Sequence, residues 1–197
     1  MLEVELKSVV DDLAMRRAVV EAAGATLVFA GRLEDRRYDS LDRSLTAKDE
    51  VLRVRIYRDQ NGARAQLDWK GPTRREGGYK LREEIETSVV AADALVAILE
   101  HLGFRVIMAI DRVIAQYDLD GTMIRFERYP RMDDLVEVEG TPEQIERAIG
   151  VTGLPREGFS TERLGDFARS YQARTGMPAV LSDAVLAGET PFDESDA

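Results

Sequence analysis

The chain has 197 residues, 27 Lys and Arg against 37 Asp and Glu, a formal net charge of −10, and 44% hydrophobic residues with only 6 Pro. That length fits one domain, or one domain and a tail, and the composition supports a packed core rather than a disordered chain. The absence of Cys and a single histidine, His101, exclude disulfides, thiolate metal sites, cysteine nucleophiles and zinc sites built on several histidines, and argue against a Ser-His-Asp triad.

The N-terminal run Met1-Leu2-Glu3-Val4-Glu5 carries acid where an export signal carries base. Ala22 to Gly31, the longest uncharged stretch, is far short of the ~20 residues of a membrane span. A cytoplasmic location is therefore expected, and the negative net charge predicts neither a nucleic-acid nor a membrane partner. The oligomeric state is left open, a homodimer being one option.

Leu2 to Ser8 alternates strictly and predicts a strand, with Glu3, Glu5 and Lys7 on one face. Residues 11–23 predict a helix capped by Asp11 or Asp12 and stopped at Gly24. Strands are expected at about 26–39, 51–58, 63–70 and 79–88, with Asn61-Gly62 as a hairpin turn signal between the middle two. A helix follows over 92–102, then strands at 105–118, 122–129 and 135–139. Thr141-Pro142-Glu143-Gln144 opens a third helix with a cap, an N1 proline and a Gln in the capping-box position. Ser160 to Arg174 predicts a fourth helix. Residues 176–197 carry little periodicity and end in acid, which predicts a loose acidic tail beyond a domain of residues 1–175, with a short helix near Asp183–Leu186. The count is eight strands and four helices joined by short connections, a mainly β (α+β) fold with antiparallel strands.

The charges recur at every second residue of the strands. Carboxylates pair at Glu3/Glu5, Glu84/Glu86 and Glu137/Glu139, Arg125 and Glu127 share a face, and basic residues stand at Lys7, Arg53, Arg55, Lys70 and Arg82. A solvated sheet face explains any one strand, but six in one chain fit a different arrangement. Eight strands closed into a barrel would turn these rows inward. Carboxylate pairs sharing such a space call for Arg, Lys or a hard divalent cation such as Mg²⁺ or Mn²⁺. Arginine forks beside them suit phosphate oxygens. Water, metal and ligand are then needed inside, because isolated buried ions are costly.

These residues resemble the CYTH domain family of class IV adenylyl cyclases, thiamine triphosphatases and other triphosphate tunnel metalloenzymes. The resemblance is carried, in family order, by Glu3-Val4-Glu5-Leu6-Lys7, Asp49-Glu50-Val51-Leu52-Arg53-Val54-Arg55, Leu67-Asp68-Trp69-Lys70-Gly71-Pro72, Leu81-Arg82-Glu83-Glu84-Ile85-Glu86 and Leu135-Val136-Glu137-Val138-Glu139-Gly140. Asp49-Glu50 and Lys70-Gly71-Pro72 lean toward the class IV cyclase branch. The resemblance implies an eight-stranded antiparallel barrel forming a triphosphate tunnel, flanked by helices, in an enzyme using Mg²⁺ or Mn²⁺. Its small-molecule partner would be ATP, tripolyphosphate or thiamine triphosphate.

By position, Lys7, Arg53, Arg55, Lys70, Arg82 and Arg112 are implied to hold the triphosphate. Glu3, Glu5, Glu127, Glu137 and Glu139 are implied metal ligands, with Glu3, Glu5 and Arg112 in catalytic roles and Glu84, Glu86 and Tyr38 in support. One position departs from the family pattern: Ile110 stands where the family has a lysine two residues before Arg112, with Arg105 able to replace it only in a different strand register. The implied reactions are cyclisation of ATP to cyclic AMP and pyrophosphate, or triphosphate hydrolysis. A polyphosphate-binding module without turnover and a plain structural β-domain are the alternatives. Neutralising Arg53 and Arg55 separates the last of these, since folding is expected to survive while triphosphate affinity collapses.

Overall fold

A computed structural model describes residues 2–189. Among the described residues nine strands and six α-helices follow one another: β1 (Leu2–Val9), α1 (Leu13–Ala22), β2 (Thr26–Asp39), α2 (Ser44–Ala47), β3 (Val51–Asp59), β4 (Gly62–Lys70), β5 (Arg74–Glu76), β6 (Tyr79–Val89), α3 (Ala92–His101), β7 (Arg105–Leu119), β8 (Thr122–Arg128), β9 (Leu135–Glu139), α4 (Pro142–Thr152), α5 (Leu164–Thr175) and α6 (Asp183–Leu186). The strands are antiparallel in the order β1-β9-β8-β7-β2-β3-β4-β6, and β6 returns to pair with β1, Glu3 opposite Arg82 and Glu5 opposite Lys80. Eight strands thus close into a barrel without free edges. β5 pairs only with β6 and lies outside it.

The eight expected barrel strands and four longer helices are present, and α6 occupies the expected short helix. The turns differ in detail. The β7–β8 hairpin turns through Asp120 and Gly121, both at positive φ (50° and 80°), the conformation of a tight I′ turn. At the β3–β4 hairpin Asn61 is not at positive φ, and the Asp59 carboxylate accepts its backbone N–H at 2.7 Å instead. Two short elements were not expected. α2 forms because the buried Asp39 carboxylate accepts the N–H groups of Leu45 and Thr46 at 3.0 and 2.9 Å. β5 turns the base-rich loop before Lys80 into a hairpin with Arg74 and Arg75 exposed.

Alternation along each strand gives the barrel two different surfaces. The outward residues make conventional cores. Leu6, Ile124, Phe126, Val136 and Val138 pack under α1 and α4 with Val20, Ile145 and Ile149. Tyr38, Val54 and Leu67 pack under α3 with Leu95 and Leu99. Full burial of such side chains stabilises by about 1.5–3 kcal/mol each, so the outer wall carries the hydrophobic stabilisation while the inner wall is charged. α4 bears the expected cap, Thr141 and Gln144 each bonding the other's backbone N–H.

The segment beyond α5 departs from the loose tail expected from residue 176 onward. Ala179, Val180, Leu181 and Ser182 are buried. Val180 exchanges backbone hydrogen bonds with Arg131, and the Asp111 N–H donates to the Leu181 carbonyl at 2.7 Å. Leu181 then joins Met108, Ile110 and Phe167 in a small apolar cluster. The acidic end at residues 190–197 lies outside the described residues.

Candidate active site

Glu3, Glu5 and Lys7 from β1, Arg53 and Arg55 from β3, Asp68 and Lys70 from β4, Lys80, Arg82 and Glu84 from β6, Arg112 from β7, Arg125 and Glu127 from β8 and Glu137 and Glu139 from β9 all turn into the barrel. Most are buried: Glu5 is 5% exposed and Glu127 1%, although each is an ion. Such burial is tolerable only with compensating charge and hydrogen bonds. The same inward rows become apolar toward either end, at Leu33, Tyr57 and Ile114 on one side and Met108 and Ile110 on the other. Between them the strands line a cavity of about 160 Å³, room for several waters or a short chain of phosphates.

The ions form connected sets. Lys7 bridges Glu5 at 3.0 Å and Glu137 at 2.6 Å. Burial lowers its affinity for a proton, but Glu137 and Glu5 outweigh burial and keep the ammonium above the ordinary lysine value. Lys80 pairs with Glu5. Lys70 holds Glu3 at 2.5 Å and Glu84 at 3.2 Å. Arg125 reaches Glu137 at 2.5 Å and Glu127 at 2.8 Å, while Arg112 donates to Glu127 at 3.1 Å. Tyr129 donates its hydroxyl to the same carboxylate at 2.5 Å. Burial alone would raise the Glu127 carboxyl; Arg112 and Arg125 reverse this and bring it down to about 2.

Arg53 and Arg55 share Asp68, whose side chain is fully buried. Arg55 grips it with two bonds of 2.6 Å, and Arg53 approaches at 3.2 Å while also reaching Asp35 at 3.4 Å and Glu84 at 3.2 Å. This corrects the expectation that both arginines can be neutralised without harm to folding: removing them strands Asp68 in the barrel wall. Arg82 spends its donors on the backbone carbonyls of Gly71 at 2.6 Å and Asp49 at 2.7 Å, so it fixes the β4–β6 connection as well as lining the cavity. Glu86 is half-exposed, 3.5 Å from Arg55. Tyr38 touches the cavity but packs mainly with Val54 and Leu99. Arg105 donates to the carbonyls of Glu100 and Phe104 outside the barrel, so it does not replace a cation at Ile110, which is 1% exposed among apolar neighbours.

The five carboxylates implied as metal ligands divide into two kinds. Glu3, Glu137 and Glu139 can bring one oxygen each within 4.8 Å of one another. Burial, followed by the charges of Glu3 and Glu137, pushes the Glu139 carboxyl up to about 7, and Glu3 is raised by burial and Glu5. Among the described residues Glu139 has no ion-pair partner. Glu3 is paired with Lys70, and Glu137 with Lys7 and Arg125, so Glu139 supplies the unpaired oxygens, and three hard oxygen donors this close fit a divalent cation. Glu5 and Glu127 lie outside that triplet and spend their oxygens on Lys7 and Lys80, and on Arg112, Arg125 and Tyr129. A second group, Asp68, Glu84 and Glu86, also meets within 4.8 Å, but Arg53, Arg55 and Lys70 already balance it.

The sequence reading missed Asp35, Arg37 and Lys80 and did not assign Arg125 or Asp68. Arg125, Asp68 and Lys80 stand in phase with named residues on their strands, and that phase was the available signal. β2 offers none, because Glu34-Asp35-Arg36-Arg37 is charged on both faces: Arg36 pairs outward with Asp111 at 2.8 Å while Asp35 faces the tunnel.

The CYTH domain family model matches residues 1–148. A Methanocaldococcus jannaschii protein named "putative adenylate cyclase" is 24% identical over 169 residues, 81% of this chain and 94% of that protein. A solved structure of a Vibrio parahaemolyticus protein of the same name superposes with a TM-score of 0.73 at 18% identity, covering 85% of this chain and 97% of the other. A putative adenylyl cyclase from Hippeastrum, described as having a dominant triphosphatase activity, superposes with a TM-score of 0.55 at 16% identity over 96% of this chain and 97% of the other. At these identities the solved structures establish a common fold.

Proposed function

The chain belongs to the CYTH domain family, and on that premise we propose that it is a divalent-metal-dependent enzyme acting on the triphosphate group of a nucleotide or inorganic polyphosphate. The observation that carries the reading is the pairing of opposite needs inside one tunnel. Lys7, Arg53, Arg55, Lys70, Arg112 and Arg125 share the tunnel with a carboxylate triplet, Glu3, Glu137 and Glu139, in which Glu139 has no ion-pair partner among the described residues and is pushed up to about 7 by burial and by Glu3 and Glu137. A phosphate chain and a hard cation would complete each other's site there.

In this reading Glu3, Glu137 and Glu139 hold Mg²⁺ or Mn²⁺, which when bound neutralises phosphate charge and favours displacement at phosphorus. Glu5 and Glu127 act through the cations they hold, orienting Lys7 and Lys80 and Arg112 and Arg125 toward the phosphates. The basic side chains bind and align the chain and stabilise charge as the leaving phosphate departs, so the protein's work is positioning and electrostatics rather than covalent chemistry. The nucleophile is water in hydrolysis, giving orthophosphate and the shortened phosphate. In cyclisation it is the ribose 3′-hydroxyl of ATP, giving cyclic AMP and pyrophosphate.

Phosphorus NMR of ATP, tripolyphosphate and thiamine triphosphate, each incubated with protein and Mg²⁺ or Mn²⁺, distinguishes the reactions. Cyclic AMP with pyrophosphate identifies a cyclase, and orthophosphate a hydrolase together with its substrate class. Tight binding without turnover would make the tunnel a binding module, the reading favoured by the uncharged Ile110. Neither product nor binding would end the triphosphate reading for these compounds.

A further inference from the structure

The cations named so far in the tunnel each have an oxygen partner in the protein; Arg37 has none. It lines the cavity from β2, in register with Arg53 on β3, and its Nε is buried without an acceptor. No hydrogen bond or ion pair reaches its guanidinium among the described residues. Asp35, the acid that most offsets its charge, is shared by Arg53 at 3.4 Å and Arg112 at 3.8 Å. Burial pulls Arg37 below the ordinary arginine value, and Arg53, Arg112 and Arg82 add to that pull against Asp35.

The neighbouring wall explains why charge is needed at this level. On β7, Arg112 is followed inward by Ile110 and Met108, which are opposite Asp35 and Arg37 on β2. β7 therefore supplies no cation at the level of Ile110 and Met108, and there Arg37 carries the positive charge of the β2–β7 side. A planar fork of five donors without a counter-ion, its Nε buried and unbonded, is matched by a phosphate that accepts two of its N–H groups at once.

We propose that Arg37 is a substrate-binding residue that grips a phosphate of the polyanion beside Arg53 and Arg112. This rests on the polyanion reading above. An arginine that holds the barrel together and one that waits for an anion respond oppositely to removal. Deleting a structural cation strands its partners, whereas Arg37 has no partner to strand.

The test is calorimetric titration of Arg37→Met and Arg37→Lys with tripolyphosphate and Mg²⁺, alongside thermal melts of the ligand-free proteins. Arg37→Met is expected to weaken tripolyphosphate binding by roughly 10- to 100-fold, the loss of charge-assisted hydrogen bonds. Arg37→Lys is expected to recover part of it, and the ligand-free melting temperature of Arg37→Met is expected to match or exceed that of the wild type. Undiminished affinity in Arg37→Met would overturn the proposal. So would a lowered ligand-free melting temperature or a failure of that variant to fold, either of which would make Arg37 structural. Wild-type protein that binds no tripolyphosphate would instead overturn the proposed function, a result read before any variant is compared.

Discussion

Asp68 has no exposed side-chain surface, and its two oxygens are committed to Arg55 at 2.6 Å, with Arg53 adding a third contact. Truncating one partner of a buried pair costs about 3–5 kcal/mol because the other stays charged and dry, whereas replacing both by apolar groups is often neutral. Arg55→Met is therefore expected to lower stability in denaturant titration by about that amount, and Arg55→Met with Asp68→Leu to regain most of it. Equal stabilities of wild type and single variant would show that water reaches Asp68. Glu127 makes a pH-dependent counterpart. Its carboxyl is held at about 2 by Arg112 and Arg125 against an ordinary value of 4.5. Its stabilisation is thus fully present above about pH 4.5 and lost as pH falls through about 2, on the order of 3 kcal/mol in all. Melting temperatures taken from pH 5 down to pH 3 should fall more steeply for wild type than for Glu127→Gln, the two curves converging in acid. Parallel curves would mean that Glu127 does not titrate in the folded barrel as described.

Whether a feature could be read from the chain depended on whether its cause was local. The strands were legible because apolar residues outside and charges inside give a clean period of two, and α4 because Thr141, Pro142 and Gln144 announce it. α2 was not, since its four residues are ordered by Asp39 from a preceding strand. Met177–Leu181 was not, since it is held by a few hydrogen bonds to Arg131 and Asp111, far away in sequence. The carboxylate triplet was legible only in part: parity put Glu3, Glu5, Glu127, Glu137 and Glu139 on inner faces, but which three converge depends on how the strands close, and that Glu139 is the one of the five without a cation depends on where Lys7, Lys70, Lys80 and Arg125 reach. The residues past α5 give the element-scale prediction. Leu181 is 6% exposed against Ile110 and Phe167, so Leu181→Ala is expected to cost about 2–5 kcal/mol, measured by denaturant titration. A cost near zero would mean that this segment packs weakly and that the barrel is complete without it.

At the scale of the whole molecule, a chain of net charge −10 encloses a cavity lined by Lys7, Arg37, Arg53, Lys70, Arg82 and Arg112 among others. The surface repels a polyanion at long range, an effect that ordinary salt screens within about 10 Å. The tunnel ions are buried and are screened much less. Ligand-free, the barrel leaves an inner carboxyl and an inner guanidinium without an ion-pair partner among the described residues: Glu139 beside Glu3 and Glu137, and Arg37 beside Arg53, Arg82 and Arg112. A metal–triphosphate complex answers both, and anything that binds only the folded state stabilises it by mass action, about 2.7 kcal/mol at a hundredfold excess over Kd. For a chain of this size 1 kcal/mol moves Tm by roughly 2–4 °C. Tripolyphosphate with Mn²⁺ at that excess is therefore expected to raise Tm by roughly 5–11 °C, and at 0.2 M salt as well as at low salt. Glu139→Gln should keep a response to tripolyphosphate alone and lose most of the increment due to metal. A wild-type shift that vanishes with salt would place the binding on the surface, and an intact metal increment in Glu139→Gln would move the cation away from the triplet.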